Sequence, residues 1–229
     1  MLFNRHKNAF SLPEALITLL IIGVVAGILL PFLRENYEKQ RLAPALKGAY
    51  SVLKRGMEVS QVINEATETW NFNLNANDFY EEYVKSYYVE ANRFTIADIK
   101  NRVTYYNMDG TLANEPAVSN DDSVVIELVD GAHIFISEEM NPKYKTVAID
   151  INGLRRPNII GKDLFIFAMQ GRYGLTPYGY AVSGETPFGM IYDQDILMNS
   201  EPYGCAHSGV YCSAYIMSNN WNMTQNYPR

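Results

Sequence analysis

The sequence has few of the residues on which catalytic and metal sites most often depend. Its 229 residues include three histidines and two cysteines, and no histidine stands at motif spacing from a catalytic partner. It contains no G-x-S-x-G, no H-E-x-x-H and no glycine-rich phosphate loop. His133 falls in a predicted strand and is interpreted as a surface or sheet residue and not as a base. The pattern therefore predicts that the protein is not an enzyme.

Charge is also sparse. Asp, Glu, Lys and Arg make up 19% of the chain, and the formal net charge is −6. No segment interleaves basic and aromatic residues, so we predict no contact with nucleic acid. The length is sufficient for one membrane helix and one globular head.

What the chain does have is a long apolar run near its N-terminus. Residues 15–33 carry no charge and one hydroxyl, Thr18. At about 1.5 Å per residue a helix of roughly 19 residues is about 28 Å long, close to the thickness of a bilayer core. The plain interpretations are a signal anchor or a cleaved secretory peptide. Glu14 lies at the start of the run. An ionised side chain in lipid is costly, so its presence favours a functional role for this segment over the two plain interpretations.

The residues around this run form a pattern. A short basic leader precedes Ala9 and Phe10, and Glu14 follows four residues after Phe10. This pattern resembles the class III signal of type IV pilins and type II secretion pseudopilins, which a prepilin peptidase cuts and methylates. The resemblance implies a cut between Ala9 and Phe10, and it makes Pro31 the helix-kinking proline. Ala9 stands where the family nearly always has glycine, so we expect slower processing.

Glu14 is expected to pair with the amine that cleavage creates on Phe10. Both charges are poorly solvated there, and an unpaired buried charge costs several kcal/mol. In the family, the glutamate of an incoming subunit is thought to meet the amine of its neighbour and so to set the filament register. A pair within one chain, one helical turn apart, is the alternative. The sequence leaves both open.

Four segments follow from the resemblance and from the residue pattern. They are a basic leader (1–9), a transmembrane assembly helix (10–33), an amphipathic helix (34–63) and an extracytoplasmic pilin-like head (64–229). The amphipathic helix has an apolar stripe at three- and four-residue spacing, and Pro44 is expected to bend it. The stripe consists of Leu42, Leu46, Ala49, Leu53 and Met57.

The predicted fold class is α+β, with the long N-terminal helix packed on a small antiparallel sheet and an irregular C-terminal region. A second helix is predicted over 78–88, capped by Asn77 or Asp78. Asp130-Gly131 predicts a hairpin turn. Strands are predicted over 102–107, 123–129, 132–137, 145–151 and 163–169, with a last edge strand over 214–217.

In an exported head, Cys205 and Cys212 predict a disulfide that closes a short loop. Such a bond stabilises the fold by about 2–3 kcal/mol on the loop-entropy account. Trp221 and Tyr227 are expected to hold the tail against the head.

The segment between the last two main strands carries Asp150, Asn152 and Asp163. Oxygen side chains at alternate positions before a glycine can bind calcium. Asn-Gly and Pro-Asn are also common turn chemistry, and Arg155 and Arg156 would weaken a cation site. A structural turn is the favoured interpretation, and calcium is the alternative.

Together these features predict a structural subunit of a type IV pilus-like or type II secretion pseudopilus filament. The expected partners are prepilin peptidase, other pilin or pseudopilin subunits, an inner-membrane assembly platform and membrane lipid. The expected location is the inner membrane, with the head outside the cytoplasm, and then the filament. The alternative is a membrane-anchored extracytoplasmic enzyme or solute-binding domain whose anchor stays uncleaved.

Overall fold

One helix, α1 (Leu12–Asn64), joins the predicted membrane helix and the predicted amphipathic helix. The structure, a computed structural model, describes residues 11–88, 90–114, 118, 120–137, 144–179, 193–224 and 226–228. Two units are distinguished, one ending at Arg41 and one running from Leu42 to Arg229. α1 continues through Pro31 and Pro44, and the bends expected at these prolines stay predictions.

Within the first unit, the Leu12–Leu30 segment of α1 is apolar and exposed. Residues Leu12–Leu30 have a mean hydropathy of 2.4, and none of this window is buried within the protein. The segment is long and apolar enough to cross a membrane. A helix with this composition needs a non-aqueous surrounding along its whole length.

In the second unit, the apolar stripe of α1 faces the sheet, as predicted. Leu46 and Leu53 are fully buried, and Met57 is 3% exposed. They belong to the same core cluster as Ile126 and Phe165 of the sheet. The helix ends at Asn64, and the next residue, Glu65, has a left-handed φ of 61°.

The helical segment after α1 begins earlier than predicted. Helix α2 (Ala76–Phe79) is capped by Asn75, whose side chain accepts a hydrogen bond from the Asp78 N–H at 2.8 Å. The prediction of Asn77 or Asp78 as the cap was therefore wrong. A π-helical turn over Tyr80–Val84 and a 3₁₀ turn over Lys85–Tyr87 follow directly.

Within the described residues, the sheet has six antiparallel strands in chain order. Four of them lie where they were predicted, and the Asp130-Gly131 hairpin is confirmed, with Gly131 at a φ of 86°. The strands are β1 (Glu90–Thr95), β2 (Val124–Leu128), β3 (His133–Ser137), β4 (Tyr144–Asp150), β5 (Leu164–Gln170) and β6 (Gly174–Pro177).

The strand predicted over 102–107 was wrong. The chain forms helix α3 (Ile96–Lys100) after β1 and then a loop in which Tyr106 makes isolated bridges to Leu112 and Ile159. Strands β1 and β6 were not predicted. β1 is polar and largely exposed, so the residue pattern that marks a half-buried strand is weak there.

Both faces of the sheet are buried. On the face away from α1, Val125, Phe135, Ala148 and Ile166 lie opposite one another in successive strands. They pack against a second layer, which we define as α3, residues 101–113 and residues 154–160. Covering both faces explains why the central strands are buried at almost every position and do not alternate with polar residues.

The C-terminal region holds the predicted disulfide. Cys205 and Cys212 are bonded and fully buried. The edge strand predicted over 214–217 was wrong, because these residues belong to helix α5 (Cys212–Ser218), which follows α4 (Gln194–Asn199). A run of four apolar residues fits a strand or a buried helix equally well.

The tail packs on the head as predicted. The Trp221 ring lies 5.1 Å from the ring of Tyr50 on α1, centroid to centroid. The buried Tyr227 hydroxyl donates a hydrogen bond to the Gly161 carbonyl. Gly161 has a φ of 90°, and a Cβ there would lie 2.5 Å from Cys212 Sγ. The disulfide, the tail and this glycine therefore pack together.

Substitution of one α1 residue that faces the sheet tests this packing. We expect Leu53→Ala to lower the free energy of unfolding by about 2–5 kcal/mol, because it leaves a cavity between helix and sheet. The matched control is Val52→Ala, at a side chain that is 52% exposed, and it should change stability by about 0.5 kcal/mol or less. Denaturant unfolding of the full chain in detergent measures both. Equal losses would contradict the assigned helix face.

Candidate functional site

Glu14 is held by the residue that precedes α1. Ser11 donates to Glu14 Oε2 twice, from its main-chain N–H at 3.0 Å and from its hydroxyl at 2.8 Å. Glu14 is the third residue of α1, so the pair has the Ser-x-x-Glu spacing of a capping box. Sequence analysis missed Ser11, although this spacing could have shown it.

The surroundings of Glu14 are apolar and exposed. Leu12 is 77% exposed and Leu16 is 59% exposed. Glu14 is the single charged residue between positions 8 and 33. The start of α1 therefore presents one carboxylate on a helical segment, residues 12–33, that is otherwise uncharged. Ala9 and Phe10 lie outside the described residues, so the cut between them and the pairing of Glu14 with a new amine stay predictions.

A second polar cluster lies in the loop between β4 and β5. Asp163, at the end of this loop, accepts hydrogen bonds from the main-chain N–H groups of Asn158 and Ile159, both at 2.7 Å. Asn152 Nδ2 lies 3.3 Å from Asp163 Oδ2. A buried main-chain donor needs a hydrogen-bond acceptor. Asp163 is the acceptor for the N–H groups of two successive residues. The loop conformation depends on this carboxylate.

Asp150, the last residue of β4, is fully buried beside it. The Tyr105 hydroxyl donates to Asp150 Oδ2 at 2.8 Å, and the Asn152 N–H donates to Oδ1 at 3.2 Å. Burial raises the pKa of Asp150 to about 8, and the neighbouring charge of Asp163 adds to this effect. Burial also raises the pKa of Asp163, but the N–H groups of Ile159 and Asn158 oppose the rise.

The different partners decide which acid keeps a proton. Hydrogen bonds from N–H groups favour the charged form of a carboxyl group. Asp163 receives two main-chain bonds of 2.7 Å, whereas the Asn152 N–H lies 3.2 Å from Asp150, which also accepts from the Gly153 N–H. Two like charges in one buried cluster repel each other, and proton release then belongs to the pair. We therefore assign the charge to Asp163 and the proton to Asp150 at neutral pH.

The three predicted calcium ligands do come together. Asn152 contacts both Asp150 and Asp163. Across the described part of the chain, however, no group of three or more His, Cys, Asp or Glu residues could hold a metal ion. Asp163 already uses both oxygens to accept main-chain N–H bonds. This geometry favours the structural turn, and calcium binding stays an untested alternative.

His133 lies in β3, as predicted. It is 4% exposed and its ring stacks on Phe94 with centroids 6.0 Å apart. Burial lowers its pKa, so the ring is neutral at physiological pH. Its position is that of a sheet residue packed between neighbours.

The raised pKa of Asp150 predicts a pH-dependent stability. Between its ordinary pKa of 3.8 and the raised value of about 8, the folded state binds more protons than the unfolded state. Stability is therefore greatest at the acid end and is lost as pH rises, with a limiting slope of about 1.4 kcal/mol per pH unit for one proton. Unfolding temperatures of the full chain between pH 5 and pH 8 should fall with rising pH.

Two variants separate this effect from general acid sensitivity. Asp150→Asn keeps an acceptor for Tyr105 without the titrating group, so its unfolding temperature should fall less with pH than that of the unchanged chain. Asp163→Asn loses an acceptor of two main-chain N–H groups and should be destabilised at both ends of the range, by about 1–3 kcal/mol. An unchanged pH slope in Asp150→Asn would contradict the assignment of the proton.

Comparison with known proteins gives two family matches. The prokaryotic N-terminal methylation motif matches residues 4–30, and a family of unknown function (DUF6613) matches residues 32–229. No curated protein and no solved structure matches the chain. The methylation motif confirms the resemblance to the prepilin signal and, with the apolar helix, fits a membrane-anchored pilin-like or pseudopilin-type subunit. The chain thus belongs to the family of unknown function DUF6613 and carries the methylation signal of pilins and pseudopilins.

Proposed function

We propose that this protein is a structural subunit of a type IV pilus-like or type II secretion pseudopilus filament. The observation that carries the proposal is one carboxylate, Glu14, at the start of the otherwise uncharged part of α1, residues 12–33, which the methylation motif overlaps. A helix of this kind can pack against copies of itself out of water, where the carboxylate selects the register. The role is mechanical and needs no catalytic group.

The first step is processing. Prepilin peptidase cuts between Ala9 and Phe10 and methylates the new amine, while the subunit is held in the inner membrane by α1. The leader that is lost carries the basic residues Arg5 and Lys7. Their removal leaves Glu14 as the only charged side chain before Arg34 and places one new positive charge close to it.

The second step is assembly. In the single chain, Glu14 accepts two hydrogen bonds from Ser11. An amine of a neighbouring subunit adds a full opposite charge, and a charge-assisted hydrogen bond in an apolar surrounding is stronger than a bond to a neutral hydroxyl. We infer that the amine joins or displaces Ser11 when subunits stack. An inner-membrane assembly platform would deliver each subunit with its head outside the cytoplasm.

Processing is tested by co-expression with a prepilin peptidase and analysis of the mature N-terminus by mass spectrometry. We expect a chain that begins with N-methylated Phe10. A chain that still begins at Met1, or one cut beyond Leu33, would instead support the alternative of an uncleaved anchor or a cleaved secretory peptide. An Ala9→Gly variant should be processed faster, because glycine is the smaller residue before the cut.

Assembly is tested by substitution of Glu14. Glu14→Ala should leave the head folded and should strongly reduce incorporation into filaments, because the amine loses its charge partner. Ser11→Ala is the matched control at the same helix end, and it should still be incorporated because the charge pair remains. Immunoblots of sheared filaments measure incorporation, and unfolding temperature reports on the head. Normal incorporation of Glu14→Ala would contradict the pairing of Glu14 with the amine.

A further inference from the structure

A polar cleft of about 530 Å³ opens in the second layer, between residues 100–106 and residues 154–158. Main-chain bonds join its two walls. The Tyr106 N–H donates to the Asn158 carbonyl at 3.0 Å, and the Ile160 N–H donates to the Tyr106 carbonyl at 2.9 Å. Asp163 fixes the second wall through the N–H groups of Asn158 and Ile159. The cleft is therefore shaped by ordered main chain.

The cleft carries positive charge. Lys100, Arg102 and Arg156 line it, and its lining includes no Asp or Glu. This is a local excess in a chain whose net charge is −6. Guanidinium groups bind carboxylate and phosphate through paired hydrogen bonds. The lining therefore favours an anionic group.

The acidic residues near these three cations neutralise only part of the positive charge in the cleft. Lys100 Nζ pairs with Asp121 Oδ1 at 2.8 Å, and Asp121 is 86% exposed, so solvent weakens this pair. The Arg102 guanidinium lies 4.8 Å from the centroid of the Phe94 ring, and Asp98 acts on it only through its charge. Among the residues that the structure describes, Arg156 has no carboxylate within ion-pair distance.

Two further residues point to a ligand with hydroxyl groups and a ring. Asn158 lines the cleft and is 6% exposed, and its Oδ1 has no hydrogen-bond partner within the described ranges. Such a buried acceptor gains free energy when a ligand hydroxyl donates to it. Tyr106 also lines the cleft and leaves 42% of its side chain exposed, so its ring offers an apolar face with a polar edge.

We propose that this cleft binds an anionic saccharide, that is, a sugar that carries a carboxylate or a phosphate group. Arg156 and Arg102 hold the anionic group, Asn158 accepts from a hydroxyl, and Tyr106 contacts the apolar face of the sugar ring. The proposal does not depend on filament assembly, because every residue it uses lies in the head.

Binding is measured by calorimetry with the full chain in non-ionic detergent. The first probe is tetragalacturonic acid, and its control is the methyl ester of the same tetrasaccharide, in which each charged carboxylate is replaced by a neutral methyl ester. Glucose 6-phosphate against glucose tests whether phosphate serves as the anionic group. We expect each acid to bind at least about 10-fold more tightly than its uncharged control, since a hydrogen bond to a charged group is stronger than one to a neutral group.

The variants locate the site. Arg156→Gln should weaken binding by about 10-fold, and Thr104→Glu should abolish it by placing a carboxylate in the cleft. Arg155→Gln is the matched control, because Arg155 is the exposed neighbour of Arg156 and does not line the cleft. It should change affinity by about 2-fold or less, as expected for a screened surface charge. All three positions are exposed, and equal unfolding temperatures verify that the variants fold.

Four results would overturn the proposal. One is that neither tetragalacturonic acid nor glucose 6-phosphate binds. Another is equal binding of the acid and its uncharged control. The third is an equal loss of affinity in Arg155→Gln and Arg156→Gln, which would indicate diffuse attraction of anions. The fourth is that duplex DNA binds as tightly as the acidic sugars and that Thr104→Glu does not weaken this binding, which would assign the binding of anions to general charge.

Discussion

The structure of the head depends on one constraint, which is that both faces of the central sheet are apolar and must be covered. The stripe of α1 covers one face through Leu46 and Leu53. The second layer covers the other face with residues that come largely from loops, such as Tyr105 and Ile160. Burying loop residues brings main-chain polar groups out of water, and these groups then need partners inside the protein.

The buried residues Asp150 and Asp163 supply acceptors for polar groups of these loops. Asp163 accepts hydrogen bonds from the N–H groups of two successive loop residues. Asp150 accepts a hydrogen bond from the hydroxyl of Tyr105 in the neighbouring segment. The two carboxyl groups thus join the loop after β4 to the segment after α3. These same two segments form the walls of the basic cleft. The cluster for which the sequence favoured a structural turn, with calcium as the alternative, therefore supports the two segments that line the basic cleft.

Sequence reasoning succeeded where one physical signal dominates. The period of Leu46, Leu53 and Met57 defines the packed face of α1, and Asp-Gly defines the β2–β3 turn. It failed at 102–107 and 214–217, where short apolar runs fit either element and tertiary packing decides. At the start of α1, the sequence pattern identified Glu14 as a candidate functional residue. It did not identify Ser11, which donates hydrogen bonds to Glu14 one helical turn away. The basic cleft unites segments distant in sequence, so no local pattern marks it.

The strand order has a consequence for how the head is made. Every pairing in the sheet joins strands that are neighbours in the chain, so no early strand waits for a late one. In the topology proposed above, a polypeptide that crosses the bilayer behind its own anchor can add one strand at a time, in order of emergence, and the longest connection to close is residues 96–123 between β1 and β2. The last residues to arrive, including Tyr227, then seal a structure that is already paired. The proposed export of the chain from its N-terminal side and the meander order of the described strands are in this sense matched to each other.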